Sequence, residues 1–205
     1  TMDPRFGTEA ELKALVDAAH ARGMKVLLDV VYNHVGYDSR YLKDPAKAGW
    51  FRTKPVDCAD DALTCQVGGL PDFRTELPAV QDYLLDAQLG LAKRTGLDGF
   101  RLDTVKHVEH AFWQRHRRET QARVSPDFFL LAEVWGGSAT VLDDYFAADE
   151  MDAGFDFTFK GSCESFVQGK GRTIAFASYL EKRHKVRPGY HLAHYLSSHD
   201  EPMSL

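Results

Sequence analysis

A sheet of parallel β-strands, each followed by an α-helix, is the fold class this sequence predicts, and three observations predict it. Apolar runs of strand length alternate with segments of helical periodicity along the chain, the pattern of βαβ units wound in one hand. Lys25-Val-Leu-Leu-Asp-Val-Val-Tyr32 is almost continuously apolar, as a parallel strand covered on both faces must be. Four stretches end a predicted strand in acids, histidines or arginine: Asp29-Val-Val-Tyr-Asn-His34, Gly99-Phe-Arg-Leu-Asp103, Leu130-Leu-Ala-Glu-Val-Trp135 and Tyr195-Leu-Ser-Ser-His-Asp200. Polar residues at the carboxyl ends of parallel strands converge on one face of a barrel.

The elements follow in order. Thr8 is the N-cap of a first helix and Glu11 completes its capping box. Leu12, Leu15, Val16 and Ala19 then recur at helical spacing until Gly23. The strand at Lys25–Tyr32 comes next. After it, residues 35–73 are rich in Asp, Lys, Gly and Pro without periodicity, and a connection that long inside a compact domain is usually functional. Trp50 and Phe51 stand in it, either to stack on a ligand or to anchor the loop. The alternation resumes with a helix from Pro78 to Arg94, a strand Gly99–Asp103, a helix Glu109–Arg123 and a strand Phe128–Val134. A helix Ala139–Ala148, a short strand Phe155–Phe157, a long helix Ser162–Lys182 and a strand His194–Ser197 complete the expected set.

Composition narrows the function classes. The 205 residues are 44% hydrophobic and 27% charged, enough to bury a core and too apolar for a disordered chain. The net charge of -5 is mixed along the length, with no basic stripe for a phosphate backbone, so no nucleic-acid partner is expected. No apolar run is long enough to cross a bilayer, and no membrane partner is expected. The first residues, Thr1-Met-Asp-Pro-Arg-Phe-Gly-Thr8, read as the interior of a longer protein and carry no secretory signal. Cys58 and Cys65 lie close together in an Asp-rich loop. A bridge between them would indicate an oxidising, secreted or periplasmic location; two free thiols in a cytoplasmic protein are the alternative. Zinc is disfavoured because no second Cys or His pair stands at ligand spacing. Cys163, in a helix, reads as a small core residue.

Asp103 and Glu133 carry the chemical argument. Each closes an apolar strand, where an unpaired carboxylate is costly unless a partner or ligand satisfies it. Hydrolysis of a glycosidic bond with retention needs two carboxyls roughly 5–5.5 Å apart. Neighbouring strands lie about 4.8 Å apart, so adjacent strand ends supply that separation. By the two-residue strand period Arg101 shares a face with Asp103 and would hold it ionised; the plainer reading is an ion pair that only fixes packing. His34, His107 and His199 are individually weak signals. Together, beside acids, they make metal-dependent hydrolysis a formal alternative, against which no His-x-His pair is present.

In this order and spacing the four stretches resemble the four characteristic regions of the α-amylase family of glycoside hydrolases, with Gly69-Leu-Pro-Asp-Phe73 as a weaker fifth match. The resemblance implies a partial TIM (β/α)8 barrel, running from the helix before the third strand to the seventh strand. Residues 1–34 would hold helix 2 and strand 3, residues 35–73 a short loop-rich excursion like that family's domain B, and residues 74–205 helix 3 to strand 7. It implies Asp103 as nucleophile, Glu133 as general acid/base and Asp200 as stabiliser of the distorted sugar. His34, Arg101, Lys106, His107 and His199 become substrate-binding residues. A structural Ca2+ would be held by Asn33, Asp72 and the backbone carbonyl of His107, all hard oxygen ligands, with Asp57, Asp60 or Asp61 as further candidates.

The expected activity is therefore retaining hydrolysis of α-1,4-glucosidic bonds in α-glucans or maltooligosaccharides through a covalent glycosyl-enzyme. Transglycosylation or a cyclomaltodextrinase-like reaction is the alternative, since sugar can intercept the same intermediate. Ser198 resembles the cyclomaltodextrin- and pullulan-degrading branch, whereas Lys106-His107 and Leu70-Pro-Asp72 look amylase-like. A rival of another class is a non-catalytic barrel acting as a binding or interaction module, which would be expected to have lost its acids. The first two strands and the eighth are missing, so the isolated chain is expected to be inactive. The rest of the barrel would come from the same longer protein or from another copy.

Overall fold

The computed structural model describes residues 2–183 and 185–201. Five strands, β1 (Leu27–Val31), β2 (Gly99–Asp103), β3 (Phe129–Ala132), β4 (Ala153–Phe155) and β5 (His191–Ala193), form one sheet in chain order, every pair parallel. Helices α1 (Glu9–His20), α2 (Pro78–Thr95), α3 (His110–Arg123), α4 (Ala139–Ala147), α5 (Phe157–Val167) and α6 (Thr173–Lys182) make the connections. Sequential order with parallel pairing is what right-handed βαβ units produce when each strand adds beside the last. β1 and β5 are the outer strands.

The local chemistry of the first elements is as read from the sequence. The Thr8 hydroxyl accepts from the Glu11 N–H, and the Glu11 carboxylate accepts from the Thr8 N–H at 2.8 Å, closing the capping box. α2 starts on Pro78 and ends at Gly96, whose φ of 76° a side chain would resist. At the foot of the sheet Asp98 accepts from Lys25, from the Val26 N–H and from His20, locking α1 and β1 to the start of β2.

The second half corrects three boundaries. β4 is Ala153–Phe155, not Phe155–Phe157, because the Asp156 carboxylate accepts from the Phe159 N–H at 2.9 Å and starts a helix where the strand is expected. Gly154 is required there because a Cβ would collide with Leu142 of α4. The expected helix Ser162–Lys182 is two, α5 and α6, interrupted at Gly169 (φ 68°) to Gly171. The last strand is His191–Ala193, not His194–Ser197: its ladder begins with the His191 N–H donating to the Asp152 carbonyl, and His194 turns toward Asp156.

The core lies between the sheet and α2 to α4, with Val30, Tyr32, Leu85, Leu89, Phe100, Leu102 and Leu130 among its members. Its centre is aromatic: Tyr32, Phe112, Trp113 and His116 make tilted and edge contacts at 5.1–6.2 Å. His116 is fully buried, 3.0 Å from the Tyr32 hydroxyl and 3.3 Å from that of Thr120. Burial, helped by the charge of Arg117, lowers its pKa to about 3. A folded-state value below the unfolded one means stability is complete above pH ~6.5 and drains as pH falls toward 3. This one group should cost about 2 kcal/mol between pH 6.5 and 5. Urea unfolding at the two pH values should show that loss in the wild type and a smaller one in His116→Gln; identical slopes would dismiss the imidazole as its source.

Between β1 and α2 the chain makes no regular strand and turns three times in short 3-10 segments, Arg40–Lys43, Pro45–Lys47 and Val67–Gly69. It is anchored at its base by the bridges His34 with Asp72 and Phe51 with Phe73. Trp50 packs on Tyr83 of α2 at 5.1 Å and Phe51 stacks on Phe73 at 4.7 Å, so both aromatics anchor the loop. The Lys47 ammonium sits 5.2–5.3 Å from the rings of Tyr41, Trp50 and Tyr83, a cation–π cage pinning the loop to α2. Cys58 and Cys65 are bridged; Cys163 is buried and unpaired with any thiol.

Candidate active site

Register determines what the strand ends bring together. Asp29 of β1 lies opposite Arg101 of β2, and the residues that follow Leu102 and its partner Ala132 are Asp103 and Glu133. The Arg101 guanidinium contacts all three acids: Nη1 donates to Asp29 at 3.0 Å and to Asp103 at 2.6 Å, and Nη2 reaches Glu133 at 2.9 Å. One cation touching both Asp103 and Glu133 holds the two carboxyls close together at adjoining strand ends, the arrangement a retaining pair uses at roughly 5–5.5 Å. An ion pair that only fixes packing would involve two residues; here four charges from three strands meet.

The Glu133 carboxyl is buried. Its Oε2 accepts from the Thr104 N–H at 2.9 Å. Burial raises its pKa, the Thr104 hydrogen bond and Arg101 pull it down, and the charges of Asp103 and Asp200 push it up again. Thr104 delivers its N–H from a left-handed conformation, φ 49°, unusual for a β-branched residue and worth about 1–3 kcal/mol of strain. Strain of that kind directly after a strand-end acid is a feature no sequence pattern announces.

A cavity of about 190 Å3 opens beside this cluster, lined by Arg101, Glu133, His199 and Asp200 and walled by Trp135 and Tyr195; Asp103 is not among its lining residues and meets it through Arg101. Asp29 and Phe157 also face it. Asp200 and His199 form an exposed pair at 2.9 Å. The remaining predicted residues sit around this centre rather than in it. His34 is half-buried beside the negative charge of Asp103, its pKa lowered by burial and raised again by that charge. Lys106 donates to the Trp135 carbonyl at 3.1 Å. The His107 ring turns away, under the loop, 2.7 Å from the Ala62 carbonyl. Asp29, which the sequence places on the strand body, joins the cluster, and its position opposite Arg101 is the signal for it.

The donor set for a hard cation can be tested on Asp72. Its Oδ2 accepts from Arg52 Nε at 2.7 Å, while Oδ1 is buried without a hydrogen-bond partner among the described residues. Burial, opposed by Arg52, pushes this carboxyl up to about 7. A buried, unsatisfied carboxylate oxygen is what a calcium ligand offers to its ion. Asn33 is buried on the adjoining segment, its carbonyl accepting from the Phe73 N–H at 2.7 Å. Asp72 thus offers the kind of oxygen a hard cation takes, with Asn33 beside it.

The model of the alpha amylase catalytic domain matches residues 1–62 and 59–205, the whole chain. The chain belongs to the α-amylase family. It is 36% identical to a cyclomaltodextrinase from Bacillus sp over 178 residues, covering 80% of this chain and 31% of that protein. The crystal structure of an α-amylase from Geobacillus thermoleovorans complexed with acarbose matches with 43% identity and a TM-score of 0.74, over 80% of this chain and 37% of that one. A cyclic α-maltosyl-(1→6)-maltose hydrolase from Arthrobacter globiformis, in complex with maltose, matches with 27% identity and a TM-score of 0.81 over 98% of this chain and 48% of its own. The five parallel strands are thus part of a family barrel, and the chain spans about a third of the length of the curated relatives it matches. Among the described residues no helix is long and apolar enough to cross a membrane.

Proposed function

We propose that the protein containing this chain is a retaining α-glucan hydrolase acting on α-1,4-glucosidic bonds, with maltooligosaccharides as substrates. The observation that carries the reading is the single guanidinium of Arg101 joining Asp103 to Glu133 at a cavity that Arg101, Glu133 and Asp200 line. In the first step the Glu133 carboxylic acid gives its proton to the glycosidic oxygen while Asp103 attacks the anomeric carbon, breaking the C–O bond and forming a glycosyl ester. In the second, Glu133 as carboxylate takes a proton from water, whose oxygen displaces Asp103. Asp200 and His199 bind hydroxyls of the distorted ring, and His34 donates to the sugar at the cleavage site, contacts that matter most as positive charge develops on the ring. Lys106 binds the leaving-group side, while the His107 ring stays under the loop on the Ala62 carbonyl. Proton NMR of a maltooligosaccharide digest by the full-length protein tests this: the first-formed product should be the α-anomer. An initial β-product, or no cleavage, overturns the reading.

Cyclomaltodextrinase-like hydrolysis or transglycosylation is the second reading. Ser198 on the cavity wall and the likeness to a cyclomaltodextrinase favour it. The aromatic walls Trp135, Phe157 and Tyr195 would favour sugar over water as acceptor. A non-catalytic binding module is disfavoured by the presence of all three acids. The missing strands would be supplied by the same longer chain, and the Cys58–Cys65 bridge favours a secreted or periplasmic site.

Calcium would be held by Asn33, Asp72 and the His107 carbonyl, where it would tie the loop to the barrel. Saturating Ca2+ at a hundredfold excess over Kd should stabilise the protein by about 2.7 kcal/mol, a rise of several degrees in Tm that a chelator reverses. Asp72→Asn should abolish the calcium-dependent shift. A Tm indifferent to both additions removes calcium from the proposal.

A further inference from the structure

The loop that holds the disulfide also meets a histidine that arrives from far away in the chain. Cys65 Sγ lies 3.5 Å from His107 Nδ1, across 42 residues, and both side chains are buried. The ligand atoms of Cys58, Cys65 and His107 all fall within 4.8 Å of one another. Sequence spacing alone disfavours zinc for want of a further ligand, and the fold supplies one that spacing cannot reveal.

We infer that, once the Cys58–Cys65 bond is reduced, Cys58, Cys65 and His107 form a zinc site that staples the loop to the turn after β2 in place of the disulfide. A dithiol reductant supplies the two electrons and two protons, becoming a cyclic disulfide as the Cys58–Cys65 bond breaks into two thiols. Zn2+ then displaces both thiol protons and binds two thiolates and the imidazole, with water as fourth ligand. Tetrahedral zinc, with Zn–S about 2.3 Å and Zn–N about 2.0–2.1 Å, sets its sulfur and nitrogen ligands about 3.6 Å apart. The Cys65–His107 pair already stands at 3.5 Å. The two sulfurs, no longer bonded, need to separate to about 3.8 Å. That falls to Cys58, the less buried of the pair, on an exposed turn of the loop. His107 Nδ1 gives up the Ala62 carbonyl, its present 2.7 Å partner, to take the metal. The site differs from the calcium set in every ligand atom: it uses the His107 ring, not its carbonyl, and soft donors, not hard oxygens.

The test is zinc chloride added to the reduced and the oxidised full-length protein, with the metal's neighbours read by X-ray absorption. One equivalent should bind the reduced form at least tenfold more tightly than the oxidised form, with two sulfurs and imidazole scattering around the metal. Binding should disappear in the Cys58→Ser, Cys65→Ser double variant and weaken at least tenfold in His107→Asn. Equal binding by oxidised and reduced protein overturns the inference, as does a zinc shell without imidazole. The absorption measurement needs no variant, so it decides the matter even where a substitution prevents folding.

Discussion

Asp103→Asn should lower kcat by about 10^4-fold or more on every substrate, because an amide cannot form the glycosyl ester and no neighbouring group replaces it in line. Binding should survive. The carbonyl oxygen of the substituted amide can still accept from Arg101, which keeps Asp29 and Glu133 as partners, so KM and Tm should move little. The substitution has a second effect that a merely structural role would not predict. The Asp103 charge is one of the causes raising the Glu133 pKa, so its removal should lower that value, visible by carboxyl NMR. A variant that retains a tenth of wild-type kcat would rule out Asp103 as the nucleophile.

Glu133→Gln should act on different substrates by different amounts. With a maltooligosaccharide the leaving alkoxide needs a proton, and loss of the general acid should cost about 10^2–10^4-fold. With a glycosyl fluoride, whose leaving group needs none, glycosylation should be nearly spared. The intermediate then accumulates, because no base activates water, and azide should restore turnover as the glycosyl azide. Glu133 also sets the pH profile. Its free-enzyme pKa is raised, first by burial, so the protonated acid persists to higher pH than on an exposed glutamate, and kcat/KM should fall as pH rises through that value. The alkaline limb should vanish in Glu133→Gln. Equal losses on both substrates, with the limb intact, would move the acid/base role elsewhere.

The strand-end motifs make the site legible because they combine two periodicities that sequence displays directly: apolar continuity for a buried parallel strand, and a polar residue where that continuity stops. Asp103, Arg101 and Glu133 are readable on those grounds, and the structure joins them through one guanidinium. β4 and β5 fall elsewhere than expected because each is three residues long, too short for periodicity, and Gly154 disguises a strand whose small residue is demanded by Leu142. The α5–α6 break, by contrast, is written in the sequence: Gln168-Gly-Lys-Gly-Arg-Thr173 sets two glycines and four polar residues between Val167 and Ile174, a breaker that outweighs the helical spacing on either side. Thr104 and the His107–Cys65 contact are invisible for a different reason. One is a backbone conformation and the other a meeting of segments 42 residues apart, and neither leaves a local trace.

Arg101 touches acids on or just beyond three successive strands, and its contacts with Asp29 and Glu133 exist only when those strands stand in their observed register. A slip of one residue on β1 or β3 would turn Asp29 or Glu133 to the opposite face and leave the guanidinium unmatched. The cluster therefore proofreads the assembly of the sheet: a molecule folded out of frame forfeits its reactive pair, so competence for chemistry and correctness of folding become one and the same test.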